Sequence, residues 1–229
     1  MKLKKIKNTG NLILVRTKNW DTLASTFLRF QEYYESPKFR GKFFSLEEFT
    51  NWHTKKFNNS TYHQIWDESG FNIPSSVLKP FREGKFNPLS KKEKRFLDLL
   101  INIPEPFYII GVYGKKIDLP TLKHEFVHGL YHNSKEYRKD VLQELKKHNL
   151  KIFTSIFKKN GYHKAVWSDE TNAYLTVRVS PLFNIGFRPT SELQKTKSKL
   201  RKIFRKHFGF SLYQANKTQV LKLFQIVNI

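Results

Sequence analysis

The chain has 229 residues, no cysteine and a single methionine. Without cysteine there can be no disulfide and no thiolate metal site, so any metal would have to be held by His, Asp or Glu. Acidic residues are scarce as well: 19 Asp+Glu stand against 42 Lys+Arg, a formal charge of +23. Such an excess favours anionic partners, whether nucleic acid, acidic protein segments or anionic lipid. The lysines are scattered rather than blocked, which is also how a merely lysine-rich protein looks. Long apolar runs are missing, and nothing approaches the roughly 20 apolar residues of a membrane span. The basic start Met1-Lys2-Leu3-Lys4-Lys5 passes through polar Asn8, Thr9 and Asn11 into only Leu12-Ile13-Leu14-Val15. That run is too short for the apolar core of a signal peptide. The expectation is a soluble, cytoplasmic protein. Zinc-finger, glycine-rich phosphate-loop and RNA-binding signatures are also absent.

What is present argues for a packed core. The chain is 39% hydrophobic and carries 21 Phe and 10 Tyr, which excludes a disordered composition. Residues 11–16 read as a strand, and 21–34 as a helix with Leu23, Phe27, Leu28, Phe30 and Tyr33 at helical spacing. Ser45 and Glu48 form a capping-box pattern opening a helix to about Lys56. Asn58–Ser60 reads as a turn, and 61–89 as an irregular, aromatic, packed stretch. Ser90 caps a helix over 91–100, and Phe107–Tyr113 is the best strand in the chain. A helix marked by Asp118 or Leu119 and Pro120 runs to about Asn133. Helices follow after Ser134, around Ile152–Phe157 (ended by Gly161), and from Ser168 as a cap. Pro181 and Pro189 bound an irregular stretch, Ser191–Phe208 is a basic helix and Leu221–Ile229 a last strand. No repeat or flexible linker interrupts the chain. The expectation is an α+β fold, mainly helical with a small mixed sheet. It would form one domain over 1–229, with 1–100 as a candidate N-terminal subdomain and 101–229 as the core.

One run makes a chemical claim: His124-Glu125-Phe126-Val127-His128-Gly129-Leu130-Tyr131-His132. It contains H-E-x-x-H. Residues four apart share a helix face one turn apart, so His124 and His128 can hold one ion from the same side. Glu125 would then stand beside the open coordination position as general base toward water. Three residues compete as third ligand. His132 lies about 12 Å along the axis from His124 on a straight helix, too far for the same ion, unless the helix breaks at Gly129. His163 lies in a loop. Glu170 sits in the first turn of the helix predicted after Ser168, with small Ala173 one turn on, where a neighbouring helix can approach closely. Glu170 is the preferred ligand; ordinary first-turn charge complementarity is its alternative role.

The pair His124-Glu125-x-x-His128 and Asp169-Glu170-x-x-Ala173 resembles the zincin metallopeptidases of the gluzincin type. More loosely, the second motif resembles that of the small cytoplasmic metallopeptidases related to phage-repressor regulators. The likeness covers these two short motifs. The chain departs from the pattern at Tyr174 and in the long insert 129–169. The resemblance implies a zincin-like helix beside a strand, Zn2+ held by His124, His128 and Glu170, and Glu125 as catalytic base. Acyl transfer also needs a donor for the oxyanion. Tyr131, His132, Tyr162, His163 and Tyr174 are available, with His163 and Tyr174 ranked first.

Three further segments bear on function. Strand 107–113 could align an extended peptide along a sheet edge, although its unbroken apolar run suits a core strand better. Trp66–Pro74 could be a substrate-binding loop or a packed turn, and no catalytic role is expected there. The basic helix at 195–207 is read first as the solvated face of a docked helix, with a weak nucleic-acid contact as the other reading. The expected function is zinc-dependent hydrolysis of a cytoplasmic peptide or protein. The alternative is a basic nucleic-acid-binding or regulatory protein whose H-E-x-x-H is structural or inactive.

Overall fold

The computed structural model describes residues 11–36, 38–57, 70–114, 117–159, 162–178 and 190–229. The predicted turn at 58–60, residues 61–69, the stop at Gly161 and the stretch 181–189 lie outside the described residues.

The fold is α+β and mainly helical around a four-stranded mixed sheet. The strands are β1 (Asn11–Thr17), β2 (Gly70–Pro74), β3 (Phe107–Tyr113) and β4 (Gln225–Asn228), in the order β2-β3-β1-β4. β1 runs parallel to both β3 and β4, and β2 pairs antiparallel with β3, with Asn72 opposite Ile110. The first hundred residues thus supply two of the four strands. β1 and β3 carry unbroken buried apolar runs, Leu12–Val15 and Phe107–Ile110, because both faces of the sheet are covered there. Ile13, Val15, Phe107 and Ile109 pack on one side, while Leu12, Leu14, Tyr108 and Ile110 pack on the other.

The first layer holds α1 (Trp20–Glu35), α2 (Leu46–Phe57), the short α3 (Leu78–Arg82) and α4 (Lys91–Leu99). Phe27, Phe30, Phe81 and Phe96 pack into a phenylalanine core, with Phe30 stacked on Phe81 and edge-on to Phe96. α4 has its expected capping box, with Ser90 accepting from the Glu93 N–H and Glu93 from the Ser90 N–H. The buried Arg29 reaches Glu93 with two contacts of 2.6 Å and also donates to the carbonyls of Phe86 and Pro88.

The second layer holds α5 (Leu119–Asn133), α6 (Lys135–Leu145), α7 (Lys151–Lys159), α8 (Trp167–Thr176), α9 (Ser191–Phe208) and α10 (Lys217–Leu221). α5 starts as expected: Pro120 lies in its first turn, and the Asp118 carboxylate accepts from the Thr121 N–H at 2.9 Å. The helix continues through Gly129, because there it lies flush on the sheet. A Cβ at that position would sit 2.6 Å from Leu12 Cδ2 and 3.2 Å from Tyr108 Cδ1.

Several expectations need correction. Part of the irregular stretch is the strand β2 and the helix α3; alternation is hidden there because every residue of β2 is buried. β3 is an interior strand, as its unbroken apolar run suggested, and among the described residues the sheet edges are β2 and β4. Ser168 lies inside α8, which continues from a short 3-10 turn with Val166 at its N-cap and no side-chain cap. The last strand is shorter than predicted, since α10 ends at Leu221 and a turn over residues 222–224 follows before the strand begins. As expected of a docked helix with a solvated basic face, α9 packs through Leu193, Leu200, Phe204 and Phe208 while Lys195, Lys199 and Lys202 face out. Arg201 turns inward and donates to the carbonyls of Thr176 and Val177 at the end of α8. No helix among the described residues is long and apolar enough to cross a membrane.

Candidate metal centre

α5 and α8 pack against each other, and buried Ala173 allows the close approach. The contact brings two distant motifs to one point. His124, His128 and Glu170 each offer a ligand atom, and these atoms lie within 4.8 Å of one another. His124 Nε2 is 3.5 Å from Glu170 Oε2, and His128 Nε2 is 3.6 Å from Glu170 Oε1. Around a tetrahedral zinc with bonds of about 2.0–2.1 Å, ligand atoms sit about 3.3 Å apart, so the carboxylate already straddles the imidazoles at nearly that spacing. His128 Nε2 and Glu170 Oε2 are buried with no hydrogen-bond partner. Buried polar atoms left unpaired are costly, and a cation between them would satisfy both. The donor set, two imidazoles and one carboxylate, is one that catalytic zinc sites use. His128, Glu170 and their surroundings thus fit a metal ion.

The electrostatics agree. Burial works against a charged His128, but the carboxylates of Asp169 and Glu170 outweigh it and hold the imidazole well above its ordinary range. Burial likewise opposes the Glu170 carboxylate, yet His128 and His124 hold it below the usual value. Asp169 Oδ1 lies 3.0 Å from His128 Nδ1, though not aligned as a hydrogen bond. A carboxylate there favours a proton on Nδ1, which would leave Nε2 free for an ion.

Glu125 is 7% exposed and lies in the same cleft. Burial pushes its carboxyl up, while His124, His128 and a hydrogen bond from Asn72 pull the other way. The cleft is also lined by Gln31 and Glu35 of α1 and by Gly70 and Asn72 of β2. Tyr162, Tyr174, Val177 and Arg178 line it as well.

The other predicted residues fall as follows. The Tyr174 ring packs edge-on to His124 at 4.6 Å and lines the cleft. His163 caps the 3-10 turn before α8, its Nδ1 accepting from the Ala165 N–H, and it is not among the cleft-lining residues. His132 lies apart from the cluster, its ring 5.1 Å from Tyr108, and burial followed by the charge of Arg138 lowers its pKa. Sequence reasoning missed Asp169 as the partner of His128, although it adjoins Glu170. It missed Arg178, the sole Lys or Arg among the described residues lining the cleft. It also missed Asn72, whose signal was one polar side chain between Phe71 and Ile73. No family model matches the chain, and neither a curated protein nor a solved structure gave a match.

Proposed function

We propose that the protein is a zinc-dependent peptidase. The observation that carries this reading is the convergence of His124, His128 and Glu170 on one point, with two of their buried atoms unpartnered, beside the carboxylate of Glu125. His124, His128 and Glu170 would hold the ion. Once bound, it would supply Lewis acidity, polarising the scissile carbonyl and making water acidic near neutral pH. Glu125 takes the proton of the attacking water and passes it to the leaving amine. Its raised pKa supports that double role, since a carboxyl closer to neutral both accepts and returns a proton readily. Tyr174, with Arg178 beside it in the cleft, is our choice as oxyanion donor.

An extended peptide has a ready place along β2. Among the described residues the strand is a sheet edge, and Gly70 and Asn72 line the cleft. The outward N–H of Asn72 donates to Gln31 Oε1 at 3.2 Å, the position a substrate carbonyl would take in strand addition. We further propose that the site belongs to a single domain, because strands from both halves of the chain share one sheet.

Metal analysis of the purified chain tests the reading. We expect about one zinc per chain, as for a three-ligand site. Zinc should be lost in His124→Ala and Glu170→Ala and retained in Glu125→Gln, which should no longer cleave peptides. A chain that carries no zinc and takes up none on addition refutes the proposal.

A further inference from the structure

We infer that Asn72 and Tyr108 brace the catalytic base, so that Asn72 is a positioning residue for hydrolysis; the inference rests on the reading of Glu125 as that base. Glu125 has a long, flexible side chain, and its place on α5 fixes only where that side chain starts. Its carboxylate is set from the sheet. Asn72 Nδ2 donates to Glu125 Oε2 at 2.8 Å, and the hydroxyl of Tyr108 donates to Asn72 Oδ1. Both ends of the amide are therefore used, and its orientation is decided: only the NH2 can face a carboxylate, and the carbonyl takes the hydroxyl. Asn72 is 8% exposed and Tyr108 fully buried, so water does not compete. Tyr108 stands on β3 and Asn72 on β2, which ties the base to two hydrogen-bonded strands rather than to a loop.

Gly70 completes the brace. A Cβ there would lie 3.2 Å from Glu125 Cγ and 3.3 Å from Oε1. The bare backbone is thus the wall against which the side chain rests, and any larger residue would press on it. Oε2 is committed to Asn72, and no described residue hydrogen-bonds to Oε1. Oε1 is accordingly the oxygen left for proton transfer.

The test uses the full zinc-loaded chain and the variants Asn72→Leu and Tyr108→Phe. The readouts are zinc per chain, kcat and KM on one quenched-fluorescent peptide cleaved by the wild type, and acetohydroxamate affinity by calorimetry. Loss of a group that orients a reacting residue lowers activity by about 10- to 100-fold. For Asn72→Leu we expect that loss in kcat, with KM within about threefold and zinc unchanged. Tyr108→Phe should give a smaller loss in the same direction, and both should weaken acetohydroxamate, which needs the carboxylate at that position. If the wild type binds zinc and cleaves, yet both variants keep its kcat, the brace is refuted. Should Asn72→Leu fail to fold, Tyr108→Phe decides alone by the same criterion. If the wild type binds zinc but cleaves no peptide, unchanged acetohydroxamate affinity in the variants refutes the brace. A wild type without zinc sinks the hydrolase reading itself, a result separable from either.

Discussion

Gly129→Ala sets two effects of opposite sign against each other. By helix propensity alone, Gly to Ala in a helix interior stabilises by about 1 kcal/mol. The packing opposes it, because the new Cβ would lie 2.6 Å from Leu12 Cδ2 and 3.2 Å from Tyr108 Cδ1. Carbon atoms in ordinary contact are about 3.5–4.0 Å apart, so α5 and β1 must separate by about 1 Å. Neither neighbour yields easily. Leu12 is 2% exposed on an interior strand, and Tyr108 is fully buried with its hydroxyl engaged by Asn72. Overpacking of this kind costs about 1–3 kcal/mol. The net is a loss of about 1 kcal/mol, or roughly 2–4 °C in Tm for a chain of this size. Zinc affinity should fall too, since His128 precedes Gly129 and moves with the helix. Thermal melts with EDTA and zinc titration by calorimetry read the two quantities. A Tm raised by the amount propensity alone predicts would refute the close contact between α5 and the sheet.

Three other outcomes follow from the geometry. Arg29→Met leaves the Glu93 carboxylate buried without its partner, and breaking a buried pair costs about 3–5 kcal/mol; urea unfolding should show it, and a loss below about 1 kcal/mol would contradict a desolvated pair. Asp169→Asn removes the charge 3.0 Å from His128 Nδ1, so zinc should bind about 10- to 100-fold more weakly with little change in the fold; unaltered affinity in a competition assay with a chelator would speak against that role. The metal-free protein should lose stability as pH rises. The carboxylates of Asp169 and Glu170 outweigh burial and raise His128, and a raised folded-state pKa contributes stability that is complete below the ordinary 6.5 and lost as pH climbs through the raised value. Zinc affinity should rise over the same window, because the ion needs the neutral imidazole. Melts with EDTA that are flat across that window would argue against the coupling.

Much of this protein was legible in local chemistry. The caps at Ser45, Ser90, Asp118 and Ser134, Pro120 in a first turn and the helical spacing of apolar residues placed most helices, because capping and periodicity act within a few residues. H-E-x-x-H likewise needs only one helical turn to set His124 and His128 together, and the absence of cysteine limited the remaining donor to His, Asp or Glu. The sequence by itself therefore determined a mainly helical α+β chain and the first half of a candidate metal site.

Tertiary structure decided the rest. β2 escaped notice because a strand buried along its whole length carries no alternation. Whether β3 lay at an edge depended on which strand pairs beside it, a contact made across residues far apart in the chain. That Glu170 reaches the histidines follows from α5 packing on α8, and that Glu125 is held by Asn72 follows from α5 lying flush on the sheet. Periodicity and capping report what each residue does to its own turn. They carry nothing about which turn it will meet, and a site made of α5, α8 and β2 exists only once those three elements have met.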